Sequence, residues 1–166
     1  SERSGLVRNE PFVVRAFAST TAFRDATLEP GWIAAFTEGH WIATQPLHTL
    51  AARHLLDETM RHEFLHVFVE SEAVPNTPLW LREGLVEAWS DSGNGKSDRA
   101  PALTIEAVDG ALRTATNEKG SLAAHCAAGW YAERLLHDYG RGRVIAWLRS
   151  GVPANVVIHL GQRQTN

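Results

Sequence analysis

The sequence predicts an α+β fold, with a short N-terminal β-sheet or hairpin packed on a helical half, and three observations predict it. Short apolar, β-branched runs separated by Pro and Gly fill the chain up to Thr44, and from Leu47 onward apolar residues recur at helical spacing. The helical part also carries His62-Glu63-Phe64-Leu65-His66, whose spacing has chemical meaning only on a helix. With 166 residues and 44% hydrophobic content, the chain has the size of one domain, residues 1–166, and can bury a substantial core.

In chain order, Phe12–Ala18 and Trp32–Thr37 read as strands. Arg24–Gly31 reads as a connection ended by Pro30-Gly31. Glu38-Gly39-His40 is a tight turn into Trp41–Thr44, so residues 32–44 form a hairpin. Pro46 stops the strand. A helix is expected from near Asp57 to Glu70, with an earlier one over 48–55. On the long helix Leu56, Met60, Phe64, Val67 and Phe68 share a face roughly opposite His62 and His66, while Leu65 and Val69 add apolar groups to the histidine side. Such a helix runs through the core.

Pro75-Asn76-Thr77-Pro78 is a turn, with Thr77 suited to an N-cap and Pro78 to the first position of a helix reaching Ser90. Asp91–Asp98 is a loop by composition; helices follow over 104–114, over Ser121–Tyr139 with Gly140 as stop, and over Val144–Arg149. One extended segment is expected after Gly151.

Composition excludes several classes. A net charge of -3 leaves no basic footprint, which argues against nucleic acid as a partner. No apolar run reaches the length of a membrane span, and Ser1-Glu2-Arg3-Ser4-Gly5 has no signal-peptide core. A start without Met is expected of a processed or cut-down end. Cys126 is the single cysteine, so an internal disulfide is ruled out.

On a helix, His62 and His66 stand one above the other and can aim two imidazoles at one ion, with Glu63 one step round leaning toward a water on it. This is the pattern of a Zn2+ site with a carboxylate general base. A catalytic zinc takes a third protein ligand, and Glu83 is the candidate, with sixteen residues between His66 and it, on a helix that can return alongside. Gly84 inside that helix costs roughly 1 kcal/mol against Ala, so it needs a reason, and close approach to the first helix is one. Glu87 lies one turn beyond Glu83, where a carboxylate can accept the second N–H of a ligating imidazole. The bland alternative makes these core or surface residues of a buried helix. Burying two histidines and a glutamate unpaired would carry a large desolvation cost, which favours the metal.

His62-Glu63-Phe64-Leu65-His66 with Leu79-Trp80-Leu81-Arg82-Glu83-Gly84-Leu85-Val86-Glu87 resembles the gluzincin zinc metallopeptidases of the peptidase MA-like kind, the group of thermolysin and the aminopeptidase N-like enzymes. The second motif is similar to the Trp-Leu-x-Glu-Gly-Phe-Ala pattern of the latter branch. The likeness is specific from Leu47 to Trp89 and weaker from Ser121 to Gly140. It implies a compact, zincin-like hydrolase with His62, His66 and Glu83 as ligands, Glu63 as base, and Glu87 where thermolysin-like members carry an Asp. It also implies an oxyanion partner on a later helix: counting fifteen back from Gly140 lands on His125, where aminopeptidase N-like enzymes place a Tyr. Tyr131 and Tyr139 are the alternatives.

The resemblance further implies a peptide or protein substrate added to an edge strand, for which residues 32–44 are the candidate. The Gly-x-Met-Glu-Asn stretch that holds a free amine in aminopeptidases is missing, which tilts the expectation toward internal cleavage. Compact relatives of this kind are often bacterial and exported, so a secreted or cell-envelope location is the expectation. Two other functions stay open: a metal-containing interaction domain without catalysis, and hydrolysis of a non-peptide amide such as a cell-wall link. His40, His48, His54, His137 and His159 lack partners at ligand spacing. Cys126 diverges by about 100° from its neighbour His125 on a helix, so the two do not form a nucleophile pair, and a small buried thiol is expected.

Overall fold

The computed structural model describes residues 11–90 and 100–163; the loop expected over Asp91–Asp98 lies outside them. Among the described residues three strands and eight helices follow the order β1 (Val13–Ala16), α1 (Thr20–Thr27), β2 (Ala35–Glu38), β3 (Trp41–Thr44), α2 (Leu47–Ala52), α3 (Leu56–Glu72), α4 (Leu79–Ser90), α5 (Ile105–Thr114), α6 (Glu118–Tyr139), α7 (Arg141–Ser150) and α8 (Ala154–Arg163). The fold is α+β.

The sheet has the order β1-β3-β2. Gly39, at the first central position of the β2–β3 turn, has φ +58, as a two-residue type II′ turn demands. The hairpin pairs Ala35 with Thr44 and Glu38 with Trp41, and β1 adds in parallel on the far side of β3. β2 is therefore an edge strand, and it faces α3. No described helix is long and apolar enough to cross a membrane.

Three expectations need correction here. Part of the connection over Arg24–Gly31 is helix: α1 is capped by Ser19, whose hydroxyl accepts the Ala22 N–H (3.0 Å), and it closes at Leu28 with φ +62. Two turns of Thr-rich sequence are weak by propensity, and full burial of Phe23 against the sheet supplies what they lack. The extended segment after Gly151 is the helix α8, which buries Val156 and Leu160, one turn apart on one face. Thr77 does not cap α4. Its hydroxyl accepts the Val74 N–H and donates to the Leu148 carbonyl (2.7 Å). The Leu79 and Trp80 amides instead donate to the Asp109 carboxylate of α5, at 3.3 and 2.6 Å.

The core sits among α3 to α8. α4 packs chiefly on α6, not on α3 as Gly84 was expected to imply. A Cβ at Gly84 would lie 2.3 Å from the Ala128 carbonyl oxygen and 2.9 Å from Ala132 Cβ. Ala124, Ala127, Ala128 and Ala132 are fully buried, a small-residue stripe that lets the two backbones come together. α3 is wedged between α4 and β2, so its buried positions are not one stripe. Leu65 and Val69 join the core, Val67 is also buried, and Phe64 from the expected core face is partly exposed and meets the edge of Phe12 at 5.4 Å.

Gly84→Ala tests which effect governs α4. Helix propensity alone would stabilise by about 1 kcal/mol, whereas overpacking against Ala128 costs about 1–3 kcal/mol. The expected outcome is a lower denaturant midpoint with unchanged slope; a higher midpoint would contradict the close approach.

Candidate functional site

Four elements converge on one cleft of about 650 Å³: β2 with Thr37, α3 with His62, Glu63 and His66, α4 with Glu83 and Glu87, and α6 with His125. The packing described above explains the convergence. α6 anchors α4 at Gly84, and the residue before it, Glu83, reaches both α3 and α6. All six residues expected from the sequence to carry chemistry line the cleft. Tyr131 and Tyr139 do not: the Tyr131 hydroxyl donates to the Leu103 carbonyl (3.1 Å), and Tyr139 packs edge-on against Trp147. His125 is therefore the one of the three at the site. None of the other five histidines lines it, and Cys126, half-buried instead of buried, lies outside it as well.

His62 Nε2 and His66 Nε2 are 3.1 Å apart, and His66 Nε2 is 3.2 Å from Glu83 Oε2. Tetrahedral coordination with bonds of 2.0–2.1 Å separates ligand atoms by about 3.3 Å. The His62–His66 and His66–Glu83 separations are both close to such an edge. His62 Nδ1 turns away, toward Glu87 Oε1 at 3.6 Å, which leaves Nε2 for the centre. The ligand atoms of His62, Glu83 and His125 also lie within 4.8 Å of one another, and these three residues can hold a metal too. His66 Nε2 lies close to both His62 and Glu83, and His125 Nε2 lies beside them, 3.4 Å from Glu83 Oε2. His125 Nδ1 lies 2.9 Å from the Ser121 carbonyl, the arrangement of an Nδ1–H donor that fixes the ring.

Charge in the site follows from burial and pairing. Burial pulls His66 down, yet the Glu83 carboxylate, by charge and hydrogen bond, outweighs it and pushes the ring up to about 9. His125 behaves alike: burial lowers it, the hydrogen bond to Glu83 and its charge raise it, and it ends at about 9. His62 is pushed down to about 4 by burial and by the charge of His66. Burial would raise Glu83, but the two imidazoles hold it well below the usual carboxylate range. Burial keeps Glu63 above that range, with the His66 charge and a hydrogen bond from Thr37 pulling partly back. Glu63 is 6% exposed and Glu87 4%, so both carboxylates are held out of bulk water.

Thr37 is the residue that sequence reading missed. Its hydroxyl donates to Glu63 Oε2 at 2.6 Å. A lone Thr in a strand carries no motif, and only the seating of β2 against α3 reveals the contact. No family model, curated protein or solved structure matches the chain.

Removing the shared carboxylate should uncouple the two raised rings. In metal-free protein the His66 and His125 ring protons should titrate near 9; in Glu83→Gln, which removes the strongest raising partner of both, both should titrate well below that. An NMR pH titration checks this, and rings still titrating near 9 in the variant would remove Glu83 from the centre of the cluster.

Proposed function

We propose that the protein is a zinc-dependent peptidase of gluzincin type, with His62, His66 and Glu83 as ligands and Glu63 as general base. The observation that carries this reading is the approach of Glu83, from a second helix, to 3.2 Å from an imidazole of the His-Glu-x-x-His helix. Three protein donors clustered at the wall of a cleft are what a catalytic zinc requires of the protein, with a fourth position left for water. A structural zinc would have four protein ligands and no use for a carboxylate at Glu63. The donor set of two imidazoles and one carboxylate suits zinc among the divalent ions.

A bound zinc supplies Lewis acidity, polarising a carbonyl and making water a nucleophile at neutral pH. Glu63 would take a proton from the attacking water and pass it to the leaving nitrogen; burial, which lifts its pKa, brings it closer to the working pH for both transfers. His125, held by Ser121 and 3.4 Å from Glu83, is placed to donate its Nε2–H to the oxygen that gains charge. Glu87 Oε1, 3.6 Å from His62 Nδ1, is the carboxylate placed to orient that ring. The substrate is a peptide laid along β2, whose residues from Ala35 to Glu38 line the cleft. The missing amine-binding stretch favours internal cleavage over aminopeptidase action.

Purified protein is expected to hold one zinc per chain by elemental analysis and to hydrolyse a labelled casein. Glu63→Gln should retain the zinc and lose activity by at least a hundred-fold, on the order expected for a general base. Glu83→Ala should lose the metal and the activity together. A Glu63→Gln protein as active as the parent would contradict the assignment, and zinc retained in Glu83→Ala would contradict the ligand set.

A further inference from the structure

The β2–β3 ladder fixes which backbone groups of β2 are engaged. Gln45 N–H donates to the Ala34 carbonyl (2.9 Å), and the register pairs Phe36 with Ala43 and Glu38 with Trp41. Hydrogen-bonded and non-hydrogen-bonded pairs alternate in an antiparallel ladder. Residues 34, 36 and 38 therefore bond to β3, while Ala35 and Thr37 turn their N–H and C=O groups to the open edge. The side chain of Thr37 goes a different way, to α3, where its hydroxyl lies 2.6 Å from Glu63 Oε2 and 3.4 Å from the Glu63 carbonyl oxygen. One residue thus presents its backbone to whatever pairs with β2 and its hydroxyl to the carboxylate of the catalytic helix.

We propose that Thr37 is a positioning residue for Glu63. Its hydroxyl occupies one carboxylate oxygen, Oε2, and leaves the other, Oε1, to take the proton of the attacking water. Its backbone sets the register of the bound peptide against that same carboxylate. This rests on the peptidase reading above. A carboxylate with two free oxygens can rotate between several acceptor geometries, and a short hydrogen bond from a β-branched, χ1-restricted side chain selects one of them. The strand that receives the substrate and the base that attacks it are then held at a fixed distance by one side chain.

The test compares zinc-loaded Thr37→Val, which keeps the shape and loses the donor, with Thr37→Ser, which keeps the donor, on fluorescein-labelled casein. Thr37→Val is expected to keep its zinc and to lose kcat by roughly ten- to a hundred-fold, the scale of a hydrogen bond to a charged group, with KM changed less than about two-fold. Thr37→Ser is expected to recover kcat to within a few-fold. A kcat unaltered in Thr37→Val, or lost equally in both variants, overturns the proposal. Thermal unfolding of Thr37→Val, Glu63→Gln and the double variant gives a second measurement: Tm losses of the paired residues should be non-additive, and strict additivity overturns the contact itself. Casein left intact by zinc-loaded parent protein overturns the peptidase reading and Thr37's catalytic role with it. Active parent with active Thr37→Val overturns the positioning role alone.

Discussion

Everything at the cleft depends on how closely α4 lies on α6. Gly84 leaves no side chain where the Ala128 carbonyl sits, and the alanines of α6 leave room on the other side. With the helices at that separation, Glu83 projects between α3 and α6 and is shared by His66 and His125. A bulkier contact would lift α4 away and leave the imidazoles of His66 and His125 without their common acceptor. The cost of burying them alone would be several kcal/mol each if charged. The site and the core are therefore one packing problem, solved at one glycine.

The second constraint comes from the sheet. α3 is held between α4 and the edge strand β2, which is why it carries buried residues on both sides and why Glu63 finds a hydroxyl partner. The three strands are short, and β1 is exposed along its length. What the sheet contributes is placement: an edge strand alongside α3, at the level of Glu63.

Much of this was legible in the sequence because the signals were local. The spacing of His62 and His66, the Gly39 turn and the Gly140 stop each specify their conformation within a few residues, and the hairpin, the long helices and six cleft residues follow from them. The misses were of another kind. Phe23 makes a helix of a Thr-rich stretch only because it is buried against the sheet, and α8 declares itself through just two buried residues, Val156 and Leu160. Asp109 caps α4 from thirty residues away. Gly84 signalled a close approach correctly, but nothing local says which helix approaches, and the partner proved to be α6. Thr37 likewise gains its meaning only from tertiary contact.

The central claim is that one ion is gripped by two rings of α3 and one acid of α4. X-ray absorption at the zinc edge, on protein loaded with one equivalent, reads that shell directly. The account predicts two imidazole nitrogens and one carboxylate oxygen near 2.0–2.1 Å plus one further light atom, with the two-imidazole signature reduced to one in His66→Ala and kept in His125→Ala. Three imidazoles in the shell, or a spectrum indifferent to His66→Ala, would contradict it.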